Sequence, residues 1–337
     1  MKKLLIVCGP TATGKTGLAL HLSKVFNGEV ISADSRQVYK KMDIGTGKDL
    51  PRISNFQWFD KLTILSKVEG FPISNLKKSG IGCYCIHGVR IWGYDLVGPE
   101  EEFSVAHYLK IANKVIENIW KREKLPILVG GTGLYIKGVV DGIQTASIPR
   151  NSKLRKSLKD KTAVELFEIL AGFDPIKSAS MNISDNKNPR RLVRAIEVAQ
   201  FQFKFRPELS NVIKDYEALF IGLTAPREFL YRNIERRVDE RLKQGLEKEI
   251  RNLLVKGVGW DTQSMRSMGY KEWKEYLTGN KSKKEVILEW VKDEKNYIKR
   301  QLTWFVKDKR IIWFDISKSG WRKAVDKFVA KWYKSIR

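Results

Sequence analysis

The octapeptide Gly9-Pro-Thr-Ala-Thr-Gly-Lys-Thr16 follows a short apolar run (residues 4–8) and opens a segment of helical pattern. It fits G-x-x-x-x-G-K-[ST] in the strand–loop–helix setting that gives the pattern its meaning. Gly9, Pro10, Thr11, Ala12, Thr13 and Gly14 form a loop whose backbone N–H groups can curl around phosphate oxygens. Lys15 neutralises charge there, and Thr16 offers a hydroxyl to Mg2+. An ordinary strand-to-helix turn needs no such combination. The motif specifies a diphosphate but not ATP.

Runs of Ile, Leu and Val at 4–8, 29–32, 94–97, 127–129, 219–223 and 311–314 read as strands covered on both faces. Helical patterns separate them; in 104–121, Tyr108, Ile111, Val115 and Ile119 recur at helical spacing. The alternation predicts an α/β fold, a P-loop NTPase-like parallel sheet flanked by helices. Between 142 and 211 the strand signal disappears. Helices are expected over 154–170 and 190–203, joined by the polar, turn-rich stretch 178–189. A helical insertion domain at 142–211 is thus expected inside a core domain made of 1–141 and 212–337. The C-terminal region of the core is helical, over 227–256 and 283–307. In the latter, Ile287, Val291, Ile298, Leu302 and Phe305 form an apolar stripe that Glu294 interrupts. The stretch 51–87 has little periodicity and reads as a loop or a small added hairpin.

Lys and Arg outnumber Asp and Glu by 63 to 38, a net charge of +25. That excess concentrates polyanions near the chain and speeds their association, so nucleic acid is the expected partner. Three cysteines, Cys8, Cys83 and Cys85, cannot build a disulfide framework, which points to a reducing, cytoplasmic setting. The early apolar run 4–8 is too short for a signal-peptide core or a bilayer span, so no membrane partner is expected. The chain is expected to act as a monomer.

A P-loop hydrolase holds magnesium with an acidic residue at the end of another strand. The run 127–129 ends instead in Gly130-Gly131-Thr132-Gly133. Asp34 and Asp95 are the remaining candidates, and neither follows four clean apolar residues. Asp34 closes the second strand, at the edge of an open α/β sheet where ligands bind. It either caps a following helix or, with the hydrogen-bonding groups of Ser35 to Tyr39, faces a base edge. Position alone leaves both open.

Several motifs together resemble the tRNA dimethylallyltransferase family. They are Gly9–Thr16, Ser32-Ala-Asp-Ser-Arg-Gln-Val-Tyr39 with Met42-Asp-Ile-Gly-Thr46, and Gly130-Gly-Thr-Gly-Leu-Tyr135. Asn188-Pro-Arg-Arg-Leu-Val-Arg-Ala-Ile-Glu197, Arg266-Ser-Met-Gly-Tyr-Lys271 and Lys299-Arg-Gln-Leu-Thr-Trp304 continue the series in the family's order. The resemblance implies transfer of a dimethylallyl group from dimethylallyl diphosphate to N6 of adenosine 37 in the anticodon stem-loop of tRNA. It implies Asp34 as general base, and Lys15, Thr16 with Mg2+, and Arg227 on the diphosphate. It also implies tRNA contacts from Asp34, Ser35, Arg36, Gln37 and Thr132, and from Arg190, Arg191 and Arg194 of the insertion. Arg266, Gly269, Tyr270, Lys271, Lys299, Arg300 and Gln301 complete the implied set.

The chain departs from the family pattern in three places. Ile91-Trp-Gly-Tyr-Asp95 stands where a His-His pair often precedes the aspartate, 51–87 is longer than usual, and Glu294-Lys295 replaces a Thr-Arg pair. Cys83, Cys85 and His87 alternate and would share one strand face, yet structural zinc usually takes four ligands in two separated pairs. Buried thiols are the expected reading. No C-terminal Cys/His pair is present, so the bacterial form is implied. The alternatives are an adenylate isopentenyltransferase acting on free nucleotide and a P-loop small-molecule kinase. A non-enzymatic RNA-binding protein would leave Lys15, Thr16 and Asp34 without a purpose.

Overall fold

In Lys2–Cys8 (β1), the residues from position 3 onward are all buried, and their side chains alternate between two cores. Leu4, Ile6 and Cys8 pack into one apolar cluster, while Leu5 and Val7 pack into another on the opposite face. An apolar run such as 4–8, buried on both faces, belongs between two layers of helices. The computed structural model describes residues 1–48, 50, 55–58, 81–204 and 215–335.

The described elements run in order through α1 (Lys15–Val25), β2 (Gly28–Ser32), β3 (Asn55–Trp58), β4 (Gly82–Ile86) and β5 (Val89–Trp92). Next come α2 (Val105–Lys121), β6 (Leu125–Gly130) and α3 (Gly133–Val140). A helical stretch holds α4 (Ser152–Ser157), α5 (Ala163–Phe173), α6 (Pro175–Ala179), α7 (Ile183–Asn186) and α8 (Pro189–Lys204). The sheet resumes with β7 (Tyr216–Thr224), followed by α9 (Arg227–Gln244), α10 (Leu246–Val255), α11 (Trp273–Leu277) and α12 (Lys283–Phe305). β8 (Ile311–Asp315) and α13 (Trp321–Lys334) close the chain.

The strand order is β3-β4-β5-β2-β6-β1-β7-β8. From β5 to β8 all neighbours are parallel, and β3 and β4 add an antiparallel ribbon at one edge. In register, Cys8 lies beside Gly130, and Val129 beside Ser32. The carboxyl ends of β1, β6 and β2 therefore lie side by side, the P-loop on one flank and Asp34 on the other. Helices α2, α3, α9 and α12 supply the core of the first face, and α1 and α13 that of the second.

One compact unit contains Met1–Val140 and Ile213–Arg337; the other is Asp141–Val212. The second has its own small core of Leu158, Leu166, Leu170, Leu192 and Ile196. Its buried Glu197 accepts from Arg155 Nε at 2.6 Å, Arg194 Nη1 at 3.0 Å and Asn151 N at 3.0 Å. Paired this way, the carboxylate stays ionised, its pKa held below the ordinary range by these donors against the cost of burial.

Three sequence expectations are corrected here. The run 94–97 is not a strand: β5 ends at Trp92, Gly93 and Asp95 take left-handed backbone, and only a single bridge joins Tyr39 to Val97. The expected helix over 154–170 is two helices, because Thr162 starts a new one through a capping box with Glu165. The helical region 227–256 is likewise divided, at Gly245 (φ 96°). Of the stretch 51–87, β3 and residues 81–87 are described. The remainder, 51–54 and 59–80, lies outside the described residues.

Candidate active site

The cradle begins where β1 ends. Gly9 has φ 131°, and a β-carbon there would run into the Leu223 carbonyl oxygen of β7. Only glycine lets the chain turn so close to the sheet. Gly14, left-handed at φ 73°, caps α1, whose first turn carries no acidic residue and no side-chain cap. Its first N–H groups are thus open to an anion. Lys15 Nζ folds over the loop and donates to the Pro10 carbonyl at 2.5 Å. Burial and the nearby Arg237 charge bring the Lys15 pKa down to about 8, with Asp34 opposing them.

The cradle is braced from two helices. Gln301 on α12 accepts from Thr11 N at 2.8 Å and donates to Gly131 O at 2.9 Å. From α9, Arg237 Nη1 donates to Thr11 Oγ1 at 2.7 Å and Asn233 Nδ2 to Ala12 O at 3.1 Å. A third loop is tied in by Thr132, whose N–H donates to Ala33 O at 3.2 Å and whose Oγ1 accepts from Ser35 N at 3.1 Å. The loops after β1, β6 and β2 form one hydrogen-bonded rim.

Asp34 sits on that rim. Its Oδ1 accepts from Arg36 N at 2.8 Å, so it caps a turn rather than a helix. The rim borders a cavity of about 570 Å³, into which Lys15, Thr16, Asp34 and Arg237 face. Ser35, Arg36, Gln37, Arg266, Lys271, Arg300 and Gln301 also line it, with Thr11, Ala12 and Gly14. A phosphate cradle and a carboxylate acceptor thus share one chamber.

Other residues implied by the resemblance lie elsewhere or have other work. Arg227 is exposed in the first turn of α9 and does not line the cavity; Arg237, almost three turns on, does. Gln301, expected at the RNA, is buried and spends both ends of its amide on the rim. Gln37 is similarly buried, accepting from Ser32 Oγ at 2.7 Å and donating to Gly47 O at 2.9 Å. Gly269 and Tyr270 are buried, the tyrosine donating its O–H to Glu249 at 2.6 Å. Lys271 pairs with Asp293 at 2.5 Å, and Lys299 is exposed on α12 outside the cavity lining. In the second unit, Arg190 is exposed, Arg191 pairs with Asp185, and Arg194 holds Glu197 and the carbonyls of Thr145 and Ile148.

Sequence reading missed Asn233, Arg236, Arg237 and Arg241, which all line the cavity from α9. Their spacing of i, i+3, i+4 and i+8 puts them on one helix face, a signal available in the sequence. Glu294 also faces the cavity, buried within the stripe Val286, Trp290, Ile298 and Phe305, and pairs with Arg241 at 3.4 Å. That accounts for its interruption of the α12 stripe.

Thr16 and Asp34 are among the side-chain oxygens that line the cavity. One protein hydroxyl plus phosphate oxygens and water is a usual magnesium site, so the residues fit that ion. Cys83 is buried in β4 and Cys85 half-buried, while His87 lies beyond the strand at φ 50°. Among the described residues no group of three His, Cys, Asp or Glu could hold a metal.

Comparison with known proteins gives consistent matches. The IPP transferase family model matches residues 86–308, and the isopentenyl transferase model matches 2–61. The chain is 35% identical to a tRNA dimethylallyltransferase of Carboxydothermus hydrogenoformans, over 98% of this chain and 97% of that one. It is 38% identical to one of Caldanaerobacter subterraneus, over 93% and 91%. The tRNA isopentenylpyrophosphate transferase of Bacillus halodurans superposes with a TM-score of 0.65 at 33% identity, over 98% and 96% of the two chains. A eukaryotic dimethylallyltransferase acting on tRNA shares the fold, with a TM-score of 0.73 at 22% identity over 98% and 80%.

Proposed function

The chain belongs to the tRNA dimethylallyltransferase family, and from that premise we infer how its cavity carries out the transfer and where on tRNA. The enzyme is a prenyltransferase that moves a dimethylallyl group from dimethylallyl diphosphate to tRNA. The acceptor is N6 of the adenosine at position 37, next to the anticodon. The observation that carries this reading is the shared chamber, with Lys15 and the α1 N-terminus at one strand end and Asp34 two strands away.

The exocyclic amine of adenine is a weak nucleophile because its lone pair is delocalised into the ring. Asp34 takes the amine proton as the C–N bond forms, while the allylic C–O bond breaks and diphosphate departs. Lys15, Arg237 and the open N–H groups of α1 meet the charge that grows on the leaving group. Mg2+ held by Thr16, when bound, would neutralise part of that same charge. The base reaches the chamber only by leaving its stack, so the nucleotide is flipped. Three free cysteines, Cys8, Cys83 and Cys85, support the cytoplasmic setting. No helix among the described residues is long and apolar enough to cross a membrane.

The direct test is incubation with dimethylallyl diphosphate, Mg2+ and an unmodified anticodon stem-loop carrying adenosines at positions 36 to 38. Mass spectrometry is expected to show one added five-carbon unit, located at position 37 by fragmentation. Equal turnover on free AMP would overturn the tRNA assignment in favour of a nucleotide isopentenyltransferase. Transfer of γ-phosphate from ATP to a small acceptor would instead indicate a kinase.

Lys299 and Arg300, both exposed on α12, are expected to bind phosphates of the RNA. Reversing both charges (Lys299→Glu with Arg300→Glu) should weaken stem-loop binding about tenfold or more at moderate salt. The slope of log affinity against log salt should fall by about one per lost contact. Fluorescence anisotropy across a salt series measures both effects.

A further inference from the structure

Resting on the transferase reading, we propose that Glu249 of α10 is a positioning residue for the transfer, fixing the wall of the chamber formed by residues 43–47. Glu249 does not line the chamber; it borders a separate depression of about 330 Å³. Its carboxylate nevertheless gathers the backbone of the wall. Oε2 accepts from Asp43 N and Ile44 N, both at 2.9 Å, and Oε1 accepts from Gly45 N at 3.2 Å. The fourth donor is the Tyr270 O–H, at 2.6 Å to Oε1. Three successive N–H groups converging on one anion form a nest, with the anion supplied from about 200 residues further along the chain.

The other side of the wall is the chamber itself, lined by Gly45, Thr46 and Gly47. Gln37 grips it there through the Gly47 carbonyl, at 2.9 Å, using an amide already engaged by Ser32. The Tyr270 ring lies directly against Gly45, and the Arg241 guanidinium against Gly47. Buried Lys48 closes the segment, donating to Tyr39 O at 2.7 Å and pairing with Asp43 at 2.6 Å and with Asp95. The wall is therefore set from outside by Glu249 and Tyr270, and from inside by Gln37.

The diphosphate cradle takes its own hydrogen bonds from Gln301, Arg237 and Asn233, and Glu249 bonds to none of them; Arg237 alone also lies against the wall, at Gly47. Losing Glu249 should therefore loosen the side of the chamber beside Asp34 and Gln37 while sparing the cradle. This division gives the residue a signature that a general fold role would lack.

Glu249→Gln is the decisive variant. Its amide has one acceptor oxygen, so whichever way it turns, at least one backbone N–H of the wall loses its acceptor, while the Tyr270 hydroxyl can turn to accept from the amide. A displacement of about 1 Å in such a wall costs on the order of 100-fold. We expect kcat/KM for the stem-loop to fall roughly 10- to 100-fold, with inorganic diphosphate binding to the free enzyme, by calorimetry, within about threefold of the parent. Tyr270→Phe should show the same split, smaller in size. It carries the test alone if Glu249→Gln does not fold, as judged by circular dichroism. Unchanged kcat/KM in a folded Glu249→Gln protein would overturn the proposal, as would equal losses of diphosphate affinity and transfer. If the parent enzyme itself adds no five-carbon unit to the stem-loop, it is the transferase reading that fails.

Discussion

Replacing Asp34 with asparagine is expected to slow prenyl transfer by about 10²- to 10⁴-fold while stem-loop binding stays within about threefold. Asparagine keeps the Oδ1 acceptor that holds Arg36 N, so the turn after β2 survives. What it loses is the ability to take a proton from the adenine amine. Asp34→Ala removes both, and its turnover should fall at least as far. Single-turnover assays with saturating donor isolate this chemical step, and anisotropy with the labelled stem-loop tests binding. If the asparagine variant retains near-parent turnover, Asp34 is not the base.

Lys15→Ala carries the second large effect, a fall of about 10²- to 10³-fold in kcat/KM for the donor. Lys15 is placed to meet both bound diphosphate and the charge that develops as it leaves, so binding and turnover should fall together. The parent protein also has a pH signature. Burial and Arg237 leave Lys15 with a pKa near 8, and a bound diphosphate raises it again by offering opposite charge. Binding above that pH takes up a proton, so diphosphate affinity should decline as pH rises past 8, approaching about tenfold per unit. The terminal phosphate of the esterified donor loses its last proton at about pH 6, below that window, so the profile is measured with dimethylallyl diphosphate rather than with inorganic diphosphate. Lys15→Ala should flatten the profile. The sign for folding is opposite: the charged lysine disfavours the fold below about pH 8, and the penalty is relieved as pH climbs toward its unfolded value near 10.4.

The sequence conveyed local features well. Glycines, a lysine and a threonine at fixed spacing specify the cradle by covalent geometry, and continuous apolar runs in β1 and β6 announce a sheet covered on both faces. It conveyed less where a role depends on a remote partner. Arg227 and Arg237 lie on the same helix, and only the fold shows that the latter meets Thr11, 226 positions away. Gln37, Tyr270 and Gln301 belong to motifs that suggest contact with RNA, yet their polar atoms are engaged within the protein. Glu249 belongs to no motif; its four donors come from two segments distant in sequence. Some local signals were present but overlooked: Thr162-x-x-Glu165 marks a helix start, and the asparagine and arginines of α9 repeat along one face.

The end of β6 has a consequence for what this scaffold can become. A β-carbon on Gly130 would strike the backbone of Ala33, whose next residue is Asp34. A magnesium-holding carboxylate of the hydrolytic kind cannot be installed there without displacing the backbone next to Asp34, the base we propose for the amine proton. The two chemistries compete for the same few ångströms between β1 and β2, which stand about 10 Å apart across β6. No single exchange at Gly130 therefore adds a hydrolytic carboxylate to this cradle without disturbing the end of β2.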